Sequence, residues 1–399
     1  MPSQRQLFLA HLAQTTDFPM MVDIERAEGI YLYGPDGKKY IDLISGIGVS
    51  ALGHRHPSVT NAVKEQVDRY MHVMVYGEFV QTPQVQLAKY LTEHLPDNLD
   101  NVFLVNSGSE AAEGALKLAK RYTGRPNILY AHNAYHGSTH GALAVGGGEH
   151  FKAPFRPLMP GVYPVRYGVM EDIELINNET AAIILETVQG EAGVVVAKKD
   201  YWTAIRNRCD ETGTLLILDE IQSGIGRTGK LWAFEHFDIV PDILITAKGL
   251  GGGMPIGAFI SSLEIMKVLR NDPILGHIST FGGHPVSSAA ALATVKTVIE
   301  EGLVDKVADK AKLFSTKLKH PLIKGLRQMG FMMALQFDSF ETTKAVVDRC
   351  TEIGIITDWF LFCDNALRIA PPLIITESEI EEACDTLINA INWVYERQR

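Results

Sequence analysis

Three short segments carry residue types that could act on one substrate together. Ile245-Thr246-Ala247-Lys248-Gly249-Leu250 puts a lysine directly after an apolar run of strand length. An amine at a buried sheet edge is costly unless it is paired or used. Capture of an aldehyde as a Schiff base is one use, because desolvation lowers the lysine's pKa. Taken alone, a lysine at a strand end is more often a solvated surface residue. Leu216-Ile217-Leu218-Asp219-Glu220 places Asp219 just past a second apolar run. A carboxylate there can keep a heterocyclic nitrogen protonated, or it can cap a helix. A metal-binding Walker-B acid is the other option, and it loses because the chain has no GxxxxGK[ST] loop. Asn106-Ser107-Gly108-Ser109-Glu110-Ala111 follows a third run and opens a helix, with Ser107 and Glu110 at capping-box spacing. Free N–H groups and the positive dipole end make a phosphate site, although a plain capped helix explains the segment equally well. Together the three supply an anion cradle, a partner for a ring nitrogen and an aldehyde-capturing amine. Those are the requirements of pyridoxal phosphate (PLP).

The elements that must position these groups read as a mostly parallel α/β sheet. Val102–Val105, Ala182–Leu185, Leu215–Leu218 and Ile243–Ile245 are compact apolar runs of the kind buried on both faces of such a sheet. Each is followed by polar or glycine-rich residues, and ligands bind at those carboxyl ends. The pattern predicts a helix over Ala111–Tyr122 and a loop over Gly251–Gly257. Before this region, Gly29–Tyr33 and Lys39–Leu43 read as a hairpin about the turn Gly34-Pro35-Asp36-Gly37. His56-Pro57 opens a helix with Val59, Val63 and Val67 on one side. After about Gly302, strands over Met329–Phe337 and Gly354–Ile356 and a closing helix over Glu377–Glu396 make a smaller α+β unit. The expected division is 1–50 as a segment packing with the small domain, 51–300 as the large PLP-binding domain and 301–399 as the small domain.

Composition narrows the function classes. The formal net charge is −10 and no Lys/Arg-rich run occurs, which argues against nucleic acid and anionic membranes as partners. Cys209, Cys350, Cys363 and Cys384 form no CxxC pair, so a reducing cytoplasm is expected and a disulfide framework or zinc ribbon is not. Met1–Phe18 lacks the apolar run of a signal peptide, and no metal site is expected.

With these residues in view, the chain resembles the class III (ω-amino acid) aminotransferases of PLP fold type I, a group that includes acetylornithine, ornithine and 4-aminobutyrate aminotransferases. The resemblance runs from Gly34-Pro35-Asp36-Gly37 to Leu367-Arg368-Ile369-Ala370-Pro371-Pro372. It is most specific in Leu218-Asp219-Glu220-Ile221-Gln222-Ser223-Gly224-Ile225-Gly226-Arg227-Thr228-Gly229, followed by Ala247-Lys248-Gly249-Leu250. It implies a seven-stranded-type large-domain sheet, a homodimer with shared active sites, and transfer of an amino group from an ω-amino donor to 2-oxoglutarate or another oxoacid. Lys248 then carries PLP as a Schiff base and shuttles the proton, and Asp219 pairs with the pyridine nitrogen. Gln222 bonds the ring hydroxyl, while Tyr135 and Ile221 cover the two ring faces. Gly108 and Ser109 hold the phosphate, and Thr280 reaches the phosphate of the neighbouring subunit. An aminomutase, racemase or decarboxylase on the same fold is the alternative. Intact Lys248 and Asp219 argue against a non-catalytic relative.

The resemblance also implies a substrate site. Arg368 stands where the family places a carboxylate-binding arginine, and Glu191 where it places a gate that pairs with that arginine and swings away. Glu186 is expected to position Gln222 and the gate, and Tyr76 is a candidate pocket wall. One position departs from the pattern. Two places after His136, where the best-known relatives carry an arginine for the substrate's distal carboxylate, this chain has Ser138. Arg156, Arg166 and His140 are the candidates to compensate. The Tyr-His-Gly-Ser-Thr form and His284 both lean towards relatives that use ω-amines.

Overall fold

The computed structural model describes residues 2–398. Three strands come first: β1 (Arg26–Glu28), β2 (Tyr31–Tyr33) and β3 (Lys39–Asp42). Seven follow in the middle of the chain: β4 (Asn101–Val105), β5 (Asn127–Ala131), β6 (Val162–Val165), β7 (Thr180–Glu186), β8 (Leu215–Asp219), β9 (Ile243–Thr246) and β10 (Gly257–Ser261). The last five are β11 (Gly325–Met329), β12 (Met332–Gln336), β13 (Ile355–Ile356), β14 (Trp359–Phe360) and β15 (Cys363–Ile369).

The seven middle strands form one sheet in the order β4-β10-β9-β8-β7-β5-β6. Pairings from β9 through to β6 are parallel, and β10 runs antiparallel to both β9 and β4. Every residue of β7, β8, β9 and β10 is buried. The alternation of a strand splits them between two cores. Ile183, Leu185, Leu216, Leu218 and Leu244 face one side, and Ala182, Ile184, Ile217, Ile243 and Ile245 face the other. Helices cover both faces, which is why these runs read as continuous apolar stretches instead of alternating ones. Val102–Val105 departs from that expectation. β4 is a sheet edge whose residues are mostly half-buried, and among the described residues it pairs only with the antiparallel β10.

The helix Gly108–Thr123 starts from Ser107, whose Oγ accepts the Glu110 N–H at 3.2 Å. The reciprocal half of the capping box is not made. Glu110 reaches back one residue further and accepts the Asn106 N–H at 2.7 Å. The helix buries its alanine face (Ala111, Ala112, Ala115 and Ala119) in the second core. In the helix Pro57–Arg69, Val59 is buried, whereas Val67, expected on the same apolar side, is exposed.

β13 pairs in parallel with β3, so the C-terminal part of the chain completes a sheet begun by the N-terminal segment. The stretch Met329–Phe337, expected as one strand, is the second half of a hairpin. β11 and β12 pair antiparallel around Gly330, whose φ of +56° suits the reversal. β12 pairs with β15, and β15 with the two-residue β14. Among the described residues no helix is long and apolar enough to cross a membrane.

Candidate active site

The register of the large sheet brings the chemistry together. Glu186 ends β7 and lies directly beside Asp219, the last residue of β8, while Asp219 pairs across to Ile245 of β9. Lys248 follows β9 by two residues, and the start of the Gly108 helix follows β4. All four elements open on one cleft of about 390 Å³, within the usual range for a small-ligand pocket. Gly108, Ser109, Tyr135, Glu186, Glu191, Asp219, Ile221, Gln222 and Lys248 all line it.

Lys248 is held with φ +42°, a left-handed conformation that costs a non-glycine residue about 1 kcal/mol or more. Among the described residues, no group hydrogen-bonds to its amine or forms an ion pair with it. Burial pushes its pKa below the ordinary lysine value, against the pull of Glu191. The amine is therefore neutral, and so nucleophilic, over more of the pH range than a surface lysine.

Asp219 is buried and engaged on both oxygens. Oδ1 accepts the Ile221 N–H at 2.9 Å, and Oδ2 accepts Nδ1–H of His136 at 2.7 Å. His136 is itself buried, lines the cleft, and has no partner at Nε2 among the described residues. Sequence reasoning passed over it. The residue sits inside the Tyr135-His136-Gly137 segment, and only the fold places that segment against Asp219. Gly137 follows with φ +128°, and a β-carbon there would overlap the Ser109 hydroxyl, so glycine lets this turn approach the helix start.

Glu186 accepts the Tyr135 N–H at 2.9 Å and the Gly190 N–H at 2.8 Å. It thus ties the Tyr135 turn to the loop that carries Glu191, and makes no bond to Gln222. Burial raises its pKa to about 7 even though His136 opposes the shift. The neighbouring Glu220 is buried among the N–H groups of Ala233 and Phe234 and the Thr187 hydroxyl. It braces the end of β8, and burial pushes its pKa up to about 8.

Glu191 and Arg368 form a bidentate pair at 2.8 and 2.9 Å, both buried. Burial alone would raise the Glu191 pKa, but Arg368 overcomes it and holds the carboxyl at about 2. Gln222 lies within 3.4 Å of the same carboxylate. Arg368 has a second carboxylate partner that sequence reasoning missed: its Nε donates to Asp358 at 2.8 Å.

Other expected residues lie elsewhere in this chain. Ser138 stands at the rim, its Oγ 3.2 Å from the Tyr135 hydroxyl and its N–H on Ser109. Neither expected substitute arginine is free: Arg156 pairs with Glu149 and Arg166 with Asp172, and neither lines the cleft. His140 is exposed at the start of a short helix. Thr280 is exposed and does not line its own chain's cleft. Tyr76 lines a different cavity, with Val75, Phe79 and Val80. His284 stacks on His72 at 5.5 Å, away from the cleft.

Comparison with known proteins agrees with this geometry. Residues 12–391 match the family model of the class-III aminotransferases. An acetylornithine aminotransferase of Methanopyrus kandleri is 40% identical over 386 residues, 96% of each chain. A transaminase from the marine bacterium Virgibacillus superposes with a TM-score of 0.93 at 26% identity, covering 99% of both chains. The ornithine aminotransferase of Toxoplasma gondii, a structure with partial PLP occupancy at its active site, superposes at 0.91 with 29% identity, covering 99% of this chain and 96% of the other. The fold and cleft are those of a PLP-dependent transaminase of fold type I. The chain belongs to the class-III aminotransferases.

Proposed function

We propose that this transaminase moves an amino group from an ω-amino donor to 2-oxoglutarate or a similar oxoacid. The observation that carries this reading is the bidentate Glu191–Arg368 pair beside the free Lys248 amine. A guanidinium that releases a protein carboxylate can take up a substrate carboxylate in the same fork geometry. One site can then serve a donor with no carboxylate at that position and an acceptor that has one.

The cleft fits PLP. The first N–H groups of the Gly108 helix have no acceptor within the helix and open on the same cavity as the free lysine amine. Bound there, PLP supplies an electron sink for the substrate carbon that loses or gains a proton. We assign the roles as follows. Gly108 and Ser109 hold the phosphate, Tyr135 and Ile221 cover the two ring faces, and Gln222 bonds the ring hydroxyl. Asp219, kept in place by His136, holds the proton on the ring nitrogen. Lys248 carries the cofactor and moves the proton at the reacting carbon. Glu186 fixes the Tyr135 turn and the Glu191 loop. We also assign residues 51–300 to the large cofactor-holding domain and 301–399 to the small domain, with 1–50 as a segment that packs with the small domain. The four unpaired cysteines support a cytoplasmic location.

We further propose a homodimer with composite sites, because Thr280 is exposed and does not line its own chain's cleft. Mixing an inactive Lys248→Ala protein with an inactive Thr280→Ala protein is expected to restore part of the activity through heterodimers. A monomer fully active at nanomolar concentration refutes the assignment.

Ser138 sets the donor preference. With Arg156 and Arg166 paired to other carboxylates outside the cleft, no cation besides Arg368 and Lys248 stands ready among the described residues for a second, distal carboxylate on the substrate. Burying it unpaired costs on the order of 100-fold in kcat/KM. N-acetylornithine is therefore expected to be a weaker donor than ω-amines with a neutral distal end, and Ser138→Arg should shift preference towards N-acetylornithine or 4-aminobutyrate. A panel of donors, each measured as kcat/KM in both proteins, tests this. High wild-type activity on N-acetylornithine means that another cation fills the space.

A further inference from the structure

Arg368 is held from two sides by groups in different settings, one on a turn and one beside a paired strand. Glu191 grips the two terminal nitrogens from a turn bounded by Gly190 and Gly193, outside any strand. Its backbone is tied by the Phe362 N–H at 3.0 Å and its carboxylate by the Leu361 N–H at 3.2 Å. Asp358 grips Nε from the residue before β14, and this placement follows from strand pairing. The Arg368 N–H donates to the Asp358 carbonyl at 2.8 Å, and the Thr357 hydroxyl donates to the Arg368 carbonyl at 2.6 Å. Next along the chain, the Trp359 carbonyl accepts from Nη2 at 3.3 Å, and the Phe360 ring lies 4.5 Å beneath the guanidinium carbon.

We propose that Asp358 is a positioning residue that keeps Arg368 aimed at the place Glu191 occupies at the cleft whenever Glu191 lets go. This rests on the reading of Glu191 and Arg368 as a gate. A buried guanidinium stripped of its only counter-ion is costly and will follow the departing carboxylate or find another. With Asp358 fixed on Nε by the strand register, the cation stays paired and its Nη1–Nη2 edge stays directed at the position Glu191 has left. The Asp358 charge biases the exchange little, because Glu191 and an incoming carboxylate occupy the same edge at similar distance and feel similar repulsion. Its contribution is orientation, which the Oδ1 acceptor supplies and an asparagine retains.

The test uses the holoenzyme in single-turnover half-reactions, followed by the cofactor's absorbance. Putrescine, which has no carboxylate, serves as donor, and 2-oxoglutarate serves as acceptor for the amino-loaded enzyme. In Asp358→Ala the ratio of kcat/KM for 2-oxoglutarate to that for putrescine is expected to fall about tenfold, with the loss mainly in KM. Asp358→Asn should recover most of that ratio. Asp358→Ser, too short to reach Nε, replaces the alanine variant if that protein does not fold. An unchanged ratio in the alanine or serine variant overturns the proposal, whether both half-reactions fall together or neither falls. So does an asparagine variant as impaired as alanine. Arg368→Lys separates this from the underlying reading. If it too leaves the ratio unchanged, the gate itself is wrong. If it lowers the ratio while the Asp358 variants do not, only the role of Asp358 is lost.

Discussion

Lys248→Ala is expected to fold and to lose on the order of 10⁴-fold or more in kcat. Two functions leave with one amine: the covalent anchor for the cofactor and the base that moves the proton at the reacting carbon. Stability should not suffer. Wild-type Lys248 already adopts φ +42°, a strain alanine tolerates no worse, and alanine fits where lysine did. The charge argument points the same way. Burial lowers the folded-state pKa of Lys248 below its ordinary 10.5, so the unfolded chain binds the proton more tightly than the folded one. Wild-type apoenzyme should therefore gain stability as pH rises from the folded pKa towards 10.5, and the variant should lack that increment. Thermal unfolding of both apoproteins across that window measures it. Reduction of the wild-type holoenzyme with borohydride, followed by peptide mapping, should put the cofactor on the Lys248 peptide. A label on any other lysine removes the assignment.

The elements that bear the chemistry were legible in the sequence because they are buried on both sides. β7, β8 and β9 read as apolar runs with Glu186, Asp219 and Lys248 at or just beyond their ends, and the parallel register then aligns those ends. β10 was not legible. Gly257-Ala258-Phe259-Ile260-Ser261 is short, begins at the end of a glycine-rich loop, and becomes a strand only by filling the gap between β9 and β4. The direction of the β4–β10 pairing was hidden for the same reason. Met329–Phe337 read as one strand because the turn between β11 and β12 is only Gly330-Phe331, with Met329 paired to Met332 across it.

Asp358 and His136 were missed for a different reason. His136 gains Asp219 from 83 residues away, and Asp358 gains Arg368 through the local β14–β15 pairing, and neither spacing follows a helix or strand period. Residue type alone marked neither. Arg156 and Arg166 failed in the opposite sense. Their type suited a carboxylate clamp, but nearby acids, Glu149 and Asp172, had already claimed them.

Asp219→Asn is expected to fold, to bind PLP, and to turn over on the order of 10²–10³-fold more slowly, the scale seen when one preorganised charge-stabilising group is lost. The side chain stays the same size and can still accept the Ile221 N–H through its oxygen. The other end changes sign as a hydrogen-bonding partner. Where Oδ2 accepted from His136 Nδ1–H, an amide NH2 now presents hydrogens. His136 must then shift its proton to Nε2, which has no partner among the described residues. A neutral amide at position 219 would hold the proton on the ring nitrogen of bound PLP less of the time, and the developing negative charge would be stabilised less. His136→Phe should push in the same direction by a smaller factor, since it leaves the Asp219 carboxylate in place and removes only its brace. If Asp219→Asn turns over at a near-normal rate, Asp219 does not face the ring. If His136→Phe is the slower of the two, the histidine acts on the substrate directly and not through Asp219.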